Sequence, residues 1–227
     1  MSDTAALLPA VETETGPNPQ WSVIWLHGLG ADGHDFEPIV PQLLERGWPA
    51  IRFVFPHAPV RPVTINGGMA MRAWYDILGT EIAMRQDEKG VRESIAQLEA
   101  LIARENQRGI PDERIILAGF SQGGAIVMAA ALRHGKHLGG LMALSTYLPM
   151  AEQSADEQSE ASKGLATFMA HGSLDPVVPQ ALGLMSREKL VALGLDVEWH
   201  SYAMPHSVSA QEIADIAAWM GQRFRSG

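Results

Sequence analysis

Short apolar runs closed by turn residues alternate along this chain with segments whose apolar residues recur at helical spacing. Residues 22–26, 51–55, 114–118, 141–144, 165–170 and 197–202 read as strands. Between them the spacing predicts helices over about 36–46, 86–107, 124–133, 180–192 and 209–224. In the second of these, Val91, Ile95, Leu98, Leu101 and Ile102 fall on one face. Strands and helices in alternation predict a mostly parallel central sheet with helices on both faces. Residues 1–20 read as an extended or edge segment ahead of this pattern. Residues 56–80 are rich in Pro and Gly and show no clear period, which predicts a long functional loop. The polar, acidic stretch 152–163 reads as a surface insertion. No repeat appears and no linker separates two cores, so residues 1–227 are expected to form one domain.

Composition adds exclusions. With 46% hydrophobic and 19% charged residues, the chain has enough apolar side chains for a sizeable core, and an ordered fold is expected. The formal net charge is −9, with the acidic residues scattered and no Lys/Arg cluster to offset them. Such a surface repels phosphate backbones, so no nucleic-acid partner is expected. There is no cysteine, which excludes disulfides, thiolate metal ligands and cysteine nucleophiles, and fits a reducing cytoplasm as the expected location. The acidic start of the chain lacks the features of a secretory signal. The longest unbroken apolar run, residues 125–132, is too short to span a bilayer, so no transmembrane segment is expected.

The sharpest chemical signal is Gly119-Phe120-Ser121-Gln122-Gly123, which follows a predicted strand and precedes a predicted helix. That is the context of a nucleophile elbow, in which a tight turn between two glycines holds an exposed serine at a helix N-terminus. A bare G-x-S-x-G also arises by chance on glycine-rich turns, and the flanking strand and helix are what weigh against that. A serine hydroxyl needs a base to take its proton. Of eight histidines, only His206 follows a strand in a short loop and comes after every plausible acid in sequence. His200 lies inside the last strand, while His134 and His137 sit at the far end of the helix after Ser121. His27, His34, His57 and His171 come too early in the chain. Asp175 lies just past the strand at 165–170, between Ser121 and His206, where it can fix the histidine tautomer. An Asp before Pro is often only a turn former, and its position in the order Ser, Asp, His is what raises it. Asp196 begins a strand at the wrong edge of the sheet, and Asp156 belongs to the acidic stretch. For the oxyanion, the backbone N–H of Gln122 is one expected donor. The N–H of Leu29, in the loop His27-Gly28-Leu29-Gly30, is the other.

The same loop supplies a rival from another class. Gly28, Gly30 and Gly33 match G-x-G-x-x-G after a strand, the mark of a dinucleotide-dependent oxidoreductase. That reading wants an acidic residue at the end of the next strand, and none occurs between Glu45 and Asp76, although Arg61 could meet a ribose phosphate. It also leaves Ser121, Asp175 and His206 unexplained. A hydrolase-fold binding protein that has lost catalysis would have no reason to keep all three.

Taken together, the His27-Gly28-Leu29-Gly30 loop, Trp74-Tyr75-Asp76, Gly119 to Gly124, Ser145-Thr146-Tyr147-Leu148, His171-Gly172 with Asp175, and Pro205-His206 are far more specific than any one motif. From Val23 onward the chain resembles the phospholipase/carboxylesterase family, which includes bacterial carboxylesterases and acyl-protein thioesterases. The resemblance implies an α/β-hydrolase fold and a metal-free, cofactor-free serine hydrolase. Its substrates would be short- to medium-chain carboxyl esters, with acyl-protein thioesters and lysophospholipids as alternatives. It places Ser121, Asp175 and His206 in the triad and Leu29 and Gln122 at the oxyanion. Two departures stand out. The stretch 152–163 is longer than the family's compact loop, and the cysteines of animal relatives are absent, which leans towards a bacterial-type carboxylesterase. The partner implied is a small-molecule or lipid-like acyl ester, and a homodimer is kept open. Trp74 and Tyr75 read as packing residues. Val63, Ile65, Met69, Met71 and Leu78 put apolar side chains on the long loop, so Met69, Met71 and Leu78 are candidates for an acyl pocket, with Leu148 and Met150 as the other location.

Overall fold

A computed structural model describes residues 7–79 and 86–226 of the chain. The strands are β1 (Ala10–Glu14), β2 (Trp21–Leu26), β3 (Ile51–Pro56), β4 (Val60–Val63), β5 (Met69–Arg72), β6 (Ile115–Phe120), β7 (Gly140–Leu144), β8 (Ala166–Gly172) and β9 (Asp196–Tyr202). The helices are α1 (Val40–Leu43), α2 (Glu88–Gln107), α3 (Gln122–Arg133), α4 (Ser154–Glu157), α5 (Gln180–Ala192) and α6 (Ala210–Ser226). Seven strands form one sheet in the order β1-β3-β2-β6-β7-β8-β9. All neighbours run parallel except β1, which pairs antiparallel with β3 along one edge.

The central strands β2, β3 and β7 are buried along their whole length, which is why they read as continuous apolar runs. Alternate residues serve opposite faces. Ile24, Leu26 and Val54 pack with Val91, Leu98 and Leu101 of α2 and the buried α3. Trp25, Phe53 and Phe55 pack on the other side with Leu43, Ile216 and Trp219. The architecture is the α/β-hydrolase fold.

Two expectations are corrected. The helix expected over 36–46 is only a 3-10 turn at Glu37–Ile39 followed by the single turn α1. Pro41 lacks the N–H that a continuous helix from residue 36 needs at that position, and Leu44 is already extended. Within 56–80, taken as irregular, β4 and β5 form an antiparallel hairpin that pairs Val60 with Arg72 and Val63 with Met69. Thr80 lies outside the described residues. The stretch 152–163 is at the surface but is tied down: Glu157 accepts from Arg92 and Arg133 at 2.6 Å each, and Ser154 and Ser162 are buried. Among the described residues, no helix is long and apolar enough to cross a membrane.

Candidate active site

Strands β6, β8 and β9 run parallel, so the loops at their C-terminal ends gather at one edge of the sheet. Ser121 follows β6 directly and stands one residue before α3. Its φ of 54° and ψ of −119° lie in a region that L-residues rarely occupy, which is the strained turn of an elbow. The flanking glycines are required by close approach. A Cβ on Gly119 would fall 2.5 Å from the Gly123 carbonyl carbon, and one on Gly123 would fall 2.4 Å from the Leu26 oxygen. Thr146 donates its hydroxyl to the Ser121 carbonyl at 2.6 Å, and Ser121 N–H bonds Leu144 O, so the next strand holds the elbow too.

His206 and Asp175 come to the serine on two loops that are stitched together. Ser173 N–H donates to Tyr202 O and Leu174 N–H to Met204 O, at 2.8 and 3.2 Å. The His206 Nε2 lies 2.9 Å from Ser121 Oγ, and its Nδ1 lies 2.6 Å from Asp175 Oδ2. With Nδ1 donating to the carboxylate, Nε2 is the bare nitrogen that can accept the hydroxyl proton. The other carboxylate oxygen, Oδ1, accepts from the N–H groups of Val177 and Val178 at 2.8 and 2.9 Å. The Asp175 side chain is fully buried, and the Phe120 ring lies against the imidazole with centroids 4.7 Å apart. The structure therefore brings together the three residues that the sequence picked out.

The loop that carries Leu29 lies beside this group, since a Cβ on Gly28 would touch the Ser121 Cβ at 3.5 Å. It is fixed from several sides. Ala58 N–H donates to His27 Nε2, so Nδ1 carries the proton and donates to Gly28 O at 2.7 Å. Burial holds the His27 pKa below its ordinary value, which suits that neutral form. Trp74 Nε1 donates to His27 O, and Gly30 N–H to Arg72 O of the hairpin. Gln122 opens α3, so its N–H is among the helix-end donors without an intrahelical acceptor.

Gly30 is required by its positive φ of 78° and Gly33 by close packing. A Cβ on Gly33 would meet Phe55 O at 2.3 Å. Beyond Gly33 the chain forms only the 3-10 turn and the single turn α1, not a long helix aimed at a pyrophosphate. The remaining histidines have other partners. His134 bridges Glu99 and Asp112, His57 accepts from Gly33 N–H, and His200 pairs with Glu198. Trp74 and Tyr75 are buried.

The pocket candidates separate. Met71 stands next to the loop that carries Leu29, its sulfur 3.8 Å from where a Gly30 Cβ would be, whereas Met69 is 65% exposed. Leu78 is half-buried. Leu148 lines a cleft of ≈ 230 Å³ with Tyr147, Leu182 and Met185, and Met150 is buried without lining it. Sequence reasoning quoted Thr146 and His171 in the motifs that carry the family resemblance but gave neither a role in this frame, because nothing in their spacing marks one.

A family model described as phospholipase/carboxylesterase matches residues 8–222. The chain belongs to that family. It is an enzyme, a serine hydrolase on the α/β-hydrolase fold. It is similar to acyl-protein thioesterase 1 of Cryptococcus neoformans, 38% identical over 216 residues, spanning 88% of this chain and 90% of that protein. Among solved structures it is similar to SOBER1 of Arabidopsis thaliana, with a TM-score of 0.85, 32% identity and coverage of 89% of this chain and 98% of that one. Zea mays acyl-protein thioesterase 2 gives a TM-score of 0.82 at 26% identity, covering 95% and 100%. These fungal and plant relatives do not support the bacterial-type leaning that the missing cysteines suggested.

Proposed function

We propose that the chain hydrolyses short- to medium-chain carboxyl esters through an acyl-enzyme on Ser121. The observation that carries this reading is the continuous relay from Ser121 Oγ through His206 to Asp175, at 2.9 and 2.6 Å. His206 removes the serine proton as Oγ attacks the ester carbonyl, and the N–H groups of Leu29 and Gln122 receive the oxyanion. The protonated His206 then donates to the leaving alcohol. Water enters, His206 activates it in turn, and the acid departs from Ser121. Asp175 keeps the imidazole in the Nδ1–H tautomer and offsets its positive charge while it is protonated. The chain's lack of cysteine supports a cytoplasmic setting.

The Cryptococcus relative favours a second reading, in which the scissile group is a thioester on an acylated protein. The same relay serves both, because the oxyanion is common and only the leaving atom differs.

A fluorophosphonate probe with peptide mapping tests the first step. Labelling is expected at Ser121 alone, and Ser121→Ala should abolish it and lower kcat by ~10⁴- to 10⁶-fold. Labelling elsewhere, or a fully active Ser121→Ala, would overturn the assignment. Matched ester and thioester pairs of one acyl chain, compared by kcat/KM, decide between the two leaving groups.

A further inference from the structure

His171, the penultimate residue of β8, is buried four positions before Asp175 and takes no part in the proton relay. Its Nε2 lies 2.8 Å from the carbonyl oxygen of Val178 and 3.6 Å from Asp175 Oδ2. A carbonyl can only accept, so Nε2 carries the proton and gives it to Val178. Val178 belongs to the turn whose N–H groups hold Asp175 Oδ1. The bare Nδ1 faces α5 at Gly183, where a Cβ would come within 2.5 Å of it, and the ring lies alongside Trp199 of β9 with centroids 6.1 Å apart.

We propose that His171 is a positioning residue for the Asp175–His206 pair, acting by locking the turn from Asp175 to Val178. This role deepens the proposed function and rests on it. Three features give the imidazole an advantage over a simple apolar filler. It satisfies a buried carbonyl that would otherwise be unpaired. It fixes Val178, so both N–H groups of the turn keep pointing at one carboxylate oxygen and leave the other for His206. It does so without charge: burial pushes its pKa down, while the Asp175 and His206 charges it feels act in opposite directions. A cation in its place would lie beside Asp175 and compete with protonated His206 for the same carboxylate.

The test compares His171→Phe, which keeps bulk and removes the donor, with His171→Gln, whose amide N–H can reach Val178 without titrating. The expected result for Phe is a kcat lower by about 10- to 100-fold with KM nearly unchanged, because a small misplacement of a catalytic group has that effect. The acid limb of its kcat/KM profile should move to lower pH as His206 loses carboxylate support. The low-field proton resonance of the His206–Asp175 hydrogen bond should disappear. His171→Gln should recover most of the rate and retain the resonance. If the Phe variant fails to fold, Gly183→Ala, which crowds the ring from α5, should give the same signature. Wild-type kcat and pH profile in folded Phe or Gly183→Ala protein, or a Gln variant as impaired as Phe, would overturn the role of His171. In either case probe labelling of Ser121 in the unaltered chain would leave the nucleophile assignment standing; no labelling there would overturn both.

Discussion

The side-chain oxygen of Gln122 accepts the backbone N–H of Trp74 at 2.8 Å, tying the first residue of α3 to the segment just after the hairpin. The other end of the same amide donates to Tyr75 O at 2.8 Å. Trp74 in turn reaches the loop that carries Leu29 through His27 O. One side chain thus links the two proposed oxyanion donors, Gln122 by its own backbone and Leu29 through Trp74 and His27.

Gln122→Ala leaves two buried backbone groups without partners, each costing about 1–3 kcal/mol. A fall in thermal midpoint is expected, together with a lower kcat at unchanged KM, because the donors matter most when the oxyanion forms. Calorimetry and steady-state kinetics check both. An unaltered midpoint would mean that water replaces the amide and that the link carries no load.

How much of the fold and site is legible in the sequence depends on the range of the interactions. The order Ser121, Asp175, His206 can be read because each residue sits just beyond a strand, and strand periodicity is local. The hairpin of β4 and β5 leaves a trace in the alternation of Val60 to Val63 and in Asn66-Gly67-Gly68, yet Pro62 and the surrounding glycines blur it. The helix expected from 36 to 46 fails on Pro41 and on the extended Leu44, where apolar spacing outlasts the backbone's ability to adopt it. The side-chain bonds of Gln122, Thr146 and His171 span 48, 25 and 7 residues. None belongs to a periodic pattern, so only the packed structure brings these partners together.

The position of Met71 beside Gly30 leads to a prediction about acyl length. If the acyl chain lies along this side of the hairpin, each methylene buried should contribute ~0.8 kcal/mol, or about fourfold in kcat/KM from acetate towards butyrate esters. Met71→Ser should flatten that rise and spare acetate hydrolysis, while Met69→Ser, at an exposed position, should change little. Full chain-length dependence in Met71→Ser, with its loss in Leu148→Ser, would move the acyl site to the Leu148 cleft.

Glu212 gives the pH prediction. It sits in the first turn of α6, where its N–H donates to Ser209 Oγ and its Oε2 accepts from Ser209 N–H at 3.4 Å, a reciprocal cap. The side chain is buried, its Oε1 has no hydrogen-bond partner, and burial pushes its pKa up to about 7, with Asp215 adding to the rise. A raised carboxyl pKa means that the fold prefers the protonated form. That preference contributes fully below the ordinary value of 4.5 and is lost as pH rises through about 7. The shift corresponds to roughly 3 kcal/mol at most. Glu212→Gln keeps an acceptor for Ser209 N–H and cannot ionise. Urea unfolding should therefore show the variant close to the natural chain at pH 5 and more stable by about 1–3 kcal/mol at pH 8. Ser209 lies three residues beyond His206, so the cap also anchors the loop that carries His206. Activity remaining after mild heating at pH 8 should then be higher in the variant, and stability profiles that run parallel from pH 5 to 8 would show that Glu212 does not titrate in that range.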